Sequence, residues 1–260
     1  MAGVQRLVIA DSHVGQETGD AEAMSAHLRL AARRGIGEVI YLGDAFQYLI
    51  GISKFWTSSV REVLAVWREL RAQGLSIGVI EGNRDFFLDE PDLRAEIDWS
   101  GRSRRFSAGG RSYLLVHGDL VNRRDLPYRF WSTVSKSGVA RGWARVLPRR
   151  LAVAIVRHME SHLAKTNRRF RSMKPVDDLE RSAERAWAEG VDVVLWGHFH
   201  SPWMCRRGER TALVMPAWLE TRTSLVVGAA GEMNLVGTDF EPRALEIDGH
   251  VPLEPVGAGS

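Results

Sequence analysis

The sequence predicts an α/β fold, because short apolar strands alternate with amphipathic helices along its first part. Helical patterns at residues 20–34 and 58–73 separate the first strands, and each pattern stops at a glycine, Gly35 or Gly74. This order is typical of a sheet whose strands are joined by crossover helices. Four runs rich in Val, Ile and Leu have the length of buried parallel strands. They lie at residues 6–10, 38–42, 76–80 and 192–196.

A second group of strand-like runs lies in the later part of the chain. Gly109 and Gly110 are typical of a hairpin turn between the first two members. The sequence contains no internal repeat that would indicate a repeat array. The five runs lie at residues 104–107, 112–116, 211–215, 224–227 and 233–236.

The composition is that of an ordinary soluble globular protein. Of 260 residues, 45% are hydrophobic and 26% are charged, which allows one sizeable core or a core with an insertion. The single cysteine, Cys205, excludes an internal disulfide and a cysteine-rich zinc site, and it fits a reducing compartment. No apolar run approaches the roughly 20 residues that span a bilayer, and the start after Met1 does not resemble a signal peptide. We therefore expect a cytoplasmic protein that is soluble or peripheral to a membrane.

A basic segment at residues 122–174 interrupts the strand-rich pattern and is predicted to be a helical insertion. From Arg123 to Lys174 there are 14 basic residues against two acidic ones, whereas the rest of the chain has 21 basic and 30 acidic residues. Such an excess favours an anionic partner, and a solvated helical surface is the alternative. The expected organisation is a core of residues 1–121 and 175–260 with a cap at residues 122–174.

Apolar residues in this basic segment recur every four positions, which is typical of one face of a helix. They are Trp143, Leu147, Leu151, Ile155, Met159 and Leu163. Pro148 is expected to break the helix in two, and Arg141, Arg145, Arg149 and Arg157 flank the stripe. The pattern predicts an amphipathic basic cap over an active site, and a purely structural pair of helices is the alternative.

Polar residues that can bind metals follow the ends of five predicted strands. The five tips are Asp11-Ser12-His13, Gly43-Asp44, Gly82-Asn83-Arg84-Asp85, His117-Gly118-Asp119 and Gly197-His198-Phe199-His200. In open α/β sheets, ligands bind beyond the carboxyl ends of the strands, so the tips are expected to converge. Each motif alone can be an ordinary turn or strand end. Their joint presence, each at a strand end, favours one shared site.

The residue types at these tips predict a site for two metal ions. Carboxylate oxygen, amide oxygen and imidazole nitrogen suit Mn²⁺, Fe or Zn²⁺. The Asp-x-His and His-x-His spacings place alternate side chains on one side of an extended chain, and one carboxylate can bridge two ions. The seven predicted ligands are Asp11, His13, Asp44, Asn83, His117, His198 and His200. His27 and His250 have no such companions and are expected at the surface.

In this order, the five motifs resemble those of the calcineurin-like metallophosphoesterases, from residue 6 to about residue 202. The resemblance implies a four-layer αββα sandwich with mixed sheets, here carrying a helical cap insertion. The residues that match the ligands of the first metal are Asp11, His13, Asp44 and His200. Those that match the ligands of the second metal are Asp44, Asn83, His117 and His198. Asp44 is therefore the expected bridge.

A narrower resemblance rests on Arg84, which follows Asn83 where most of the superfamily has histidine, and on Asp85-Phe86 after it. This Gly-Asn-Arg-Asp-Phe sequence resembles the UDP-2,3-diacylglucosamine pyrophosphohydrolases of lipid A synthesis. Ala217-Trp218 and a helical insertion before the final core strand are similar to that branch as well. The chain departs from the branch at Val14, Ala45 and Gln47.

The resemblance implies hydrolysis of UDP-2,3-diacylglucosamine to UMP and 2,3-diacylglucosamine 1-phosphate, with the cap holding the sugar and acyl chains. A hydroxide held between two ions, Mn²⁺ foremost, would attack phosphorus. The residues expected in catalysis are Arg84, Asp44 and His117, with Arg84 stabilising phosphate charge unless it forms a surface ion pair with Asp85. Asp85 and Asp119 would orient ligand imidazoles. The expected substrate contacts are Asn83, Arg84, Asp125, Tyr128, Lys165, Asn167 and Arg168.

Two other interpretations compete with this one. The first is a phosphoesterase acting on another phosphomonoester or diester, such as a nucleotide, a nucleic-acid end or a phosphoprotein. The second is a non-catalytic protein that binds anions or nucleic acid through the arginine-rich segment. It leaves the metal motifs unexplained, so nucleic acid is not the partner we expect. The expected partners are a lipid-linked nucleotide sugar and the anionic face of the inner membrane, which a basic amphipathic cap can contact.

Overall fold

The computed structural model describes residues 3–121, 133–152, 154–155 and 175–244. Along the chain, the elements are β1 (Arg6–Ile9), α1 (Asp20–Arg33), β2 (Glu38–Tyr41), β3 (Leu49–Ile50), a short 3-10 helix (Ser53–Phe55), α2 (Ser58–Ala72), β4 (Ser76–Ile80), β5 (Asp85–Phe86), α3 (Pro91–Arg94), β6 (Trp99–Gly101), β7 (Ser103–Ala108), β8 (Arg111–Val116), α4 (Gly138–Val146), α5 (Val176–Ala188), β9 (Val193–Trp196), β10 (Trp203–Arg207), β11 (Arg210–Val214), α6 (Trp218–Thr221), β12 (Ser224–Val227) and β13 (Met233–Val236). The strands form a six-stranded sheet, a five-stranded sheet and a small ribbon of β3 and β5.

The first sheet has the strand order β13-β12-β1-β2-β4-β6. Strands β1, β2, β4 and β6 run parallel, with Leu7 opposite Val39 and Val39 opposite Ile77. Strands β12 and β13 extend this sheet on the other side of β1 as antiparallel neighbours. The first three apolar runs are therefore parallel strands, and α1 and α2 connect them, as predicted.

The second sheet has the strand order β10-β11-β9-β8-β7 and is mixed. Strand β9 runs parallel to both of its neighbours, whereas β7 and β10 are antiparallel to theirs. The hairpin predicted at Gly109 and Gly110 is confirmed, because Ala108 pairs with Arg111 across it. The fourth apolar run is β9, so it lies in this second sheet and not beside the first three.

The two sheets pack face to face, and successive side chains of one strand point to opposite faces of its sheet. In β1, Leu7 and Ile9 pack with α1 and α2, whereas Val8 packs between the two sheets. In β9, Leu195 lies between the sheets and Trp196 packs with α5. Because both faces of these strands are buried, their sequences are continuously apolar. The predicted αββα sandwich with mixed sheets is confirmed.

His27 lies in the core and not at the surface, so that expectation is wrong. Its side chain is 1% exposed, and its Nε2 lies 2.6 Å from the Ser224 hydroxyl oxygen. The ring also packs against Phe240. Burial lowers the pKa of His27 to about 4, because the charged imidazole would lose its hydration. The helical pattern of α1 could not indicate that C-terminal strands cover this position.

The described part of the basic segment is helical, as predicted. Helix α4 follows Ser137, whose hydroxyl oxygen accepts a hydrogen bond from the Ala140 N–H. The helix ends before Leu147, and residues 149–152 are helical again. The break expected at Pro148 is therefore confirmed.

Among the described residues of the predicted apolar stripe, Leu147 packs toward the core and the others do not. Trp143 is 70% exposed, and Leu151 and Ile155 are exposed as well. The side chains that pack inward are Ala140, Ala144, Leu147 and Ala152. They contact an apolar cluster on the core that consists of Tyr48, Ile50, Phe55, Phe86 and Phe87. Because the alanine side chains are small, the helix lies close to these rings, and Trp143, Leu151 and Ile155 remain exposed.

Basic residues of the cap form ion pairs with the core. Arg141 Nη2 lies 2.6 Å from an oxygen of Asp89, and Arg145 Nη2 lies 2.8 Å from an oxygen of Glu90. Part of the positive charge predicted to meet an anionic partner is thus neutralised within the chain. Arg149 and Arg150 are exposed.

Several predictions fall outside the described residues. They concern Asp125, Tyr128, Arg157, Met159, Leu163, Lys165, Asn167, Arg168 and His250. The boundaries of the cap at residues 122 and 174 also stay predictions. Within the described ranges, no helix combines the length and apolar character needed to cross a bilayer.

Candidate metal centre

The seven predicted ligands lie together where the carboxyl ends of strands from both sheets meet. Strands β1, β2 and β4 lead into the tips of the first sheet, and β8 and β9 lead into those of the second. Hydrogen bonds cross between the sheets here. The His117 Nδ1–H donates to the Leu42 carbonyl oxygen at 2.9 Å, and the His198 N–H donates to Asp11 Oδ2 at 2.7 Å. The tips converge as expected, although they come from two sheets and not one.

One group of donor atoms is formed by Asp11, His13 and His200. Their ligand atoms lie within 4.8 Å of one another, and all three residues are buried. The Nε2 atoms of His13 and His200 face each other at 3.3 Å, and their rings stack. Two imidazole nitrogens directed at one point beside a carboxylate are suited to hold a divalent ion.

A second group is formed by Asn83, His117 and His198. The Asn83 Oδ1 lies 3.0 Å from His117 Nε2 and 3.1 Å from His198 Nδ1. The two histidines therefore present different ring nitrogens to the same amide oxygen. This arrangement brings one oxygen and two nitrogen donors to a single point.

Asp44 lies between the two groups. Its Oδ2 is 3.9 Å from His13 Nε2, and its Oδ1 is 3.7 Å from His117 Nε2. Each carboxylate oxygen thus faces a different group, which is the geometry that a bridging ligand requires. The bridging role predicted for Asp44 fits this placement.

The backbone at this site is unusual. Five of the predicted ligands, which are not glycines, have positive φ angles between 42° and 68°: Asp11, His13, Asp44, His198 and His200. L-residues rarely adopt this left-handed conformation, and it persists only where the surrounding structure enforces it. The surrounding structure therefore enforces a backbone conformation that directs these side chains toward the centre.

Two glycines of the motifs are required by close packing at the ligands. A Cβ on Gly43, whose φ is +87°, would collide with the His117 imidazole. A Cβ on Gly82 would collide with the carboxylate and backbone nitrogen of Asp44. These positions leave no room for a side chain beside a ligand.

Two contacts set the orientation of ligand imidazoles. The Leu42 carbonyl oxygen accepts from His117 Nδ1, so the Nε2 of that ring is directed into the site. Glu220 Oε1 lies 3.1 Å from His200 Nδ1 and has the corresponding effect on His200. Sequence reasoning missed Glu220. Its position in the short helix α6, two residues after Ala217-Trp218, was the signal that could have indicated it.

Asp85 has a different role from the predicted one. Its Oδ2 accepts hydrogen bonds from the N–H groups of Asp44, at 2.9 Å, and Gly82, at 2.8 Å. Among the described residues, no ligand imidazole contacts it. Asp85 therefore orients the backbone that carries Asp44, and not a histidine ring. Burial, followed by the charge of Asp44, raises the pKa of Asp85 to about 7.

The pKa values of the two carboxylates of the centre shift in opposite directions. Burial dominates at Asp11 and raises its pKa. Burial alone would also raise the pKa of Asp44, but nearby positive charges, led by His117 and His13, hold it well below its usual range. These charges favour the anionic form of Asp44, which suits the residue that would contact two cations.

The histidines of the second group are electrostatically unlike each other. At His117 the carboxylates of Asp44, Asp11 and Asp119 outweigh burial and raise the pKa to about 9. Burial, followed by the charge of His117, lowers the pKa of His198 to about 4. The negative charge of Asp119 favours the protonated form of both rings, and its predicted role as an orienting partner stays a prediction.

Arg84 is 4% exposed and lies beside Asp44. Its backbone N–H donates to Asp44 Oδ1 at 2.9 Å, and its Nε lies 3.8 Å from Asp44 Oδ2. The guanidinium carbon lies 5.6 Å from the centre of the Tyr48 ring. A surface ion pair with Asp85 is therefore excluded, and the positive charge of Arg84 is held next to the predicted metal bridge.

The donor set fits divalent cations. Asp11 Oδ1 is buried and has no hydrogen-bond partner among the described residues, although burying an unpaired carboxylate oxygen is costly. A ligand atom of Asp11 also lies within 4.8 Å of those of Asp44 and His117. Oxygen and imidazole donors without thiolates suit Mn²⁺, Fe or Zn²⁺. The residues present can therefore hold two such ions.

Comparisons with known proteins agree with this geometry. A family model described as calcineurin-like phosphoesterase matches residues 5–202. A UDP-2,3-diacylglucosamine hydrolase from Pseudomonas fluorescens is 26% identical over 253 residues, which cover 94% of this chain and 99% of that protein. One of the same name from Azotobacter vinelandii is 30% identical over 200 residues, which cover 75% and 81%.

Among solved structures, a dimetal phosphatase from Danio rerio aligns with a TM-score of 0.47 and 14% identity, over 92% of this chain and 100% of its own. We draw nothing from a similarity at that level. The family match alone spans most of the chain. The chain therefore belongs to the calcineurin-like phosphoesterase family and is a metal-dependent phosphoesterase.

Proposed function

We propose that this phosphoesterase hydrolyses the pyrophosphate of UDP-2,3-diacylglucosamine to UMP and 2,3-diacylglucosamine 1-phosphate. Relatives that carry the name UDP-2,3-diacylglucosamine hydrolase cover most of the chain. The observation that carries the proposal is Arg84, a buried guanidinium beside Asp44 in the same loop as Asn83. A guanidinium in this position can bind phosphate through two parallel hydrogen bonds.

The cofactors that we propose are two divalent ions, with Mn²⁺ preferred and Fe or Zn²⁺ as alternatives. One would be held by Asp11, His13, Asp44 and His200. The other would be held by Asp44, Asn83, His117 and His198. Bound there, such ions would supply Lewis acidity and a hydroxide nucleophile at neutral pH.

The chain's own residues would bind and orient the reacting groups. Arg84 would contact the non-bridging oxygens of the attacked phosphate and neutralise the charge that develops on them. The Leu42 carbonyl and Glu220 hold the rings of His117 and His200 in fixed orientations. Because these contacts exist before substrate arrives, little reorganisation would accompany the reaction.

The exposed face of the cap supports a lipid-linked substrate. Trp143 is 70% exposed and Val146 is 75% exposed, which is unusual for large apolar side chains on a monomer surface. The exposed basic residues Arg149 and Arg150 follow directly in the chain. We propose that this face contacts the acylated substrate and the anionic cytoplasmic face of the inner membrane. Further substrate contacts are proposed from Asp125, Tyr128, Lys165, Asn167 and Arg168.

The test of the reaction is release of UMP from UDP-2,3-diacylglucosamine by the purified protein, combined with elemental analysis of its metal content. The protein is expected to release UMP with Mn²⁺. Arg84→Lys keeps the charge but loses the planar fork, so kcat/KM should fall about 100-fold, as for loss of one stabilising donor. Hydrolysis of bis-p-nitrophenyl phosphate without any release of UMP would instead indicate a phosphoesterase with another substrate.

The test of the membrane contact is a double charge reversal, Arg149→Glu with Arg150→Glu. This variant should bind anionic vesicles and use the lipid substrate less well, while hydrolysis of bis-p-nitrophenyl phosphate stays unchanged. The matched control reverses Arg33 and Arg94, two exposed arginines outside the cap, and alters net charge equally. If the cap variant loses activity equally on the lipid substrate and on bis-p-nitrophenyl phosphate, the cap arginines have a structural role. If the cap variant and the control variant bind anionic vesicles equally, a specific contact of the cap with the membrane is excluded.

A further inference from the structure

Lys136 connects the cap to the loop that carries Asn83 and Arg84. Its Nζ donates to the Gly82 carbonyl oxygen at 2.6 Å and forms an ion pair with Glu81 at 2.6 Å. The side chain is 13% exposed, and the ammonium lies 5.7 Å from the centre of the Phe86 ring. A charged amine this well enclosed holds its acceptors in place, because leaving it unpaired would be costly.

The Gly82 peptide is the point at which the cap, Asp85 and Asp44 meet. The Gly82 N–H donates to Asp85 Oδ2 at 2.8 Å, and the same oxygen accepts from the Asp44 N–H. The Gly82 Cα lies so close to Asp44 that no Cβ would fit. The Gly82 peptide is therefore held by Asp85, by its packing against Asp44 and, from the cap, by Lys136.

Asn83 follows this peptide directly. The Gly82 carbonyl and the Asn83 nitrogen lie in one rigid peptide plane, so a contact that fixes the carbonyl also fixes the starting direction of Asn83. The Asn83 Oδ1 is the atom on which His117 and His198 converge. From these contacts we infer that Lys136 is a positioning residue that couples the cap to the Asn83 and Arg84 loop. The inference rests on the proposed two-metal function.

Lys54 provides a natural comparison. Its Nζ also bridges core and cap, since it donates to the carbonyl oxygens of Arg145 at 2.8 Å and Leu147 at 2.6 Å. Lys54 thus attaches the cap through the same chemistry as Lys136, but its contacts lie away from the ligand loop. If both lysines only attach the cap, their substitutions should have the same effect on Mn²⁺ binding and on kcat. If Lys136 also positions the ligand loop, only its substitution should change these quantities.

The experiment compares Lys136→Met with Lys54→Met, using the full chain. Mn²⁺ binding is measured by calorimetry, and kcat and KM are measured with bis-p-nitrophenyl phosphate, which needs no acyl contacts from the cap. Lys136→Met should weaken binding of the second Mn²⁺ about tenfold, the lower end of the effect of removing a partner outside the ligand set. Its kcat should fall with KM little changed. Lys54→Met should leave both quantities as in the unsubstituted chain.

Two further variants keep the outcome clear. Lys136→Arg retains a donor and a positive charge, so it should restore most of the Mn²⁺ affinity. If Lys136→Met does not fold, as judged by circular dichroism, Lys136→Gln carries the same expectation of weaker Mn²⁺ binding. Unchanged Mn²⁺ affinity in the Lys136 variants, or equal losses in Lys54→Met, would overturn the inference. Lack of Mn²⁺-dependent hydrolysis by the unsubstituted chain would instead contradict the proposed function, and the calorimetry would still test Lys136.

Discussion

The candidate metal centre and the cap both contact residues 81–90, yet they are held to the core in opposite ways. Ligands of the centre project from strand ends of both sheets, and five of them have left-handed backbone angles. The cap packs small residues such as Ala140 and Ala144 on the core and adds ion pairs to Asp89 and Glu90. The centre is thus fixed by the strands of the core, whereas the cap is held by small apolar contacts and a few ion pairs.

The largest effect is expected from Asp44→Ala, which removes the carboxylate between the two donor groups. Hydrolysis of bis-p-nitrophenyl phosphate with Mn²⁺ should fall at least about 1,000-fold, because both metal positions lose a ligand. Bound Mn²⁺ should fall as well. Asp177→Ala, at an exposed carboxylate on α5, serves as the control and should retain full activity. Full activity of Asp44→Ala would exclude the two-metal mechanism.

Gly82→Ala tests whether close packing sets the geometry of the centre. The added Cβ would collide with the Asp44 carboxylate, so Asp44 or the 82–85 loop must shift. Activity should fall about 100-fold, a loss comparable to that of one positioned donor. Kinetics with bis-p-nitrophenyl phosphate measure the effect, and a crystal structure of the variant locates the shift. A variant with unchanged kinetics would show that the centre tolerates more movement than its packing implies.

Protonation of His27 at acidic pH should weaken the core while the ion pair between Arg141 of the cap and Asp89 remains. The pKa of His27 is about 4 in the folded protein against 6.5 in the unfolded chain, so the unfolded chain binds more protons between these values. The contribution of His27 to the free energy of unfolding should therefore fall as pH drops from 6.5 to 4, by up to about 3 kcal/mol. Asp89 stays ionised in this window, because its hydrogen bonds with Arg141 lower its pKa.

Urea unfolding of the unsubstituted chain and of His27→Gln, followed across this pH range, isolates the contribution of His27. Glutamine can still form a hydrogen bond with Ser224 but does not titrate. The free energy of unfolding of the variant should therefore lack the pH dependence that His27 contributes between pH 6.5 and 4. Parallel curves for the two proteins would mean that another group causes the acid sensitivity. Hydrogen exchange of α4 at pH 5 reports separately on the cap.

Glu90→Gln should loosen the cap and leave the centre intact. Glu90 is 5% exposed and lies 2.8 Å from Arg145 and 3.6 Å from Arg141. Loss of its charge should weaken docking of α4 by about 1–2 kcal/mol, which is typical of a hydrogen bond to a charged group. Faster hydrogen exchange in α4 would report this change. Glu69→Gln breaks an exposed ion pair of similar length with Arg29 and should not affect α4.

The smallest effect is expected from Gly142→Ala, the counterpart of Gly82→Ala in the cap. Gly142 lies inside α4 and a Cβ there would meet nothing within 4 Å. Alanine favours the helix over glycine by roughly 1 kcal/mol. Hydrogen exchange in α4 should therefore slow, with a free energy of opening that is higher by roughly 1 kcal/mol. Activity toward bis-p-nitrophenyl phosphate should not change. A loss of activity would mean that the cap and the centre are more tightly coupled than their contacts indicate.

The sequence was sufficient to predict nine of the thirteen strands in the described residues and the ligand tips, because both depend on local patterns. The shorter or more polar strands β3, β5, β6 and β10 were not predicted. Continuous apolar runs predict strands that are buried on two faces. Polar residues at the carboxyl ends of such strands are expected to converge on one ligand site. The same runs could not indicate which sheet each strand joins, since β9 and β1 are equally apolar. Strand membership depends on pairing between residues far apart in the chain, such as Tyr113 with Val193.

Other errors have a similar origin. Periodicity identifies a helical face but not what covers it, so the pattern of α1 could not indicate that His27 is buried, and the pattern of α4 could not indicate which side chains contact the core. In α4, alanines meet the aromatic cluster, and in α1 the covering residues come from β12 and the chain after β13. Glu220 lies 20 residues after His200, and only the fold brings the two side chains together.

The left-handed backbone at five ligand positions also bears on how the protein acquires its ions. Because packing in the surrounding core enforces these angles, we expect removal of metal by a chelator to leave a folded receptor. Such a receptor can be refilled with different ions in turn, without a cycle of unfolding. Which ion a given preparation carries would then depend on the supply of metal in the cell and on affinity, and the same polypeptide could be isolated with different metals after growth in different media.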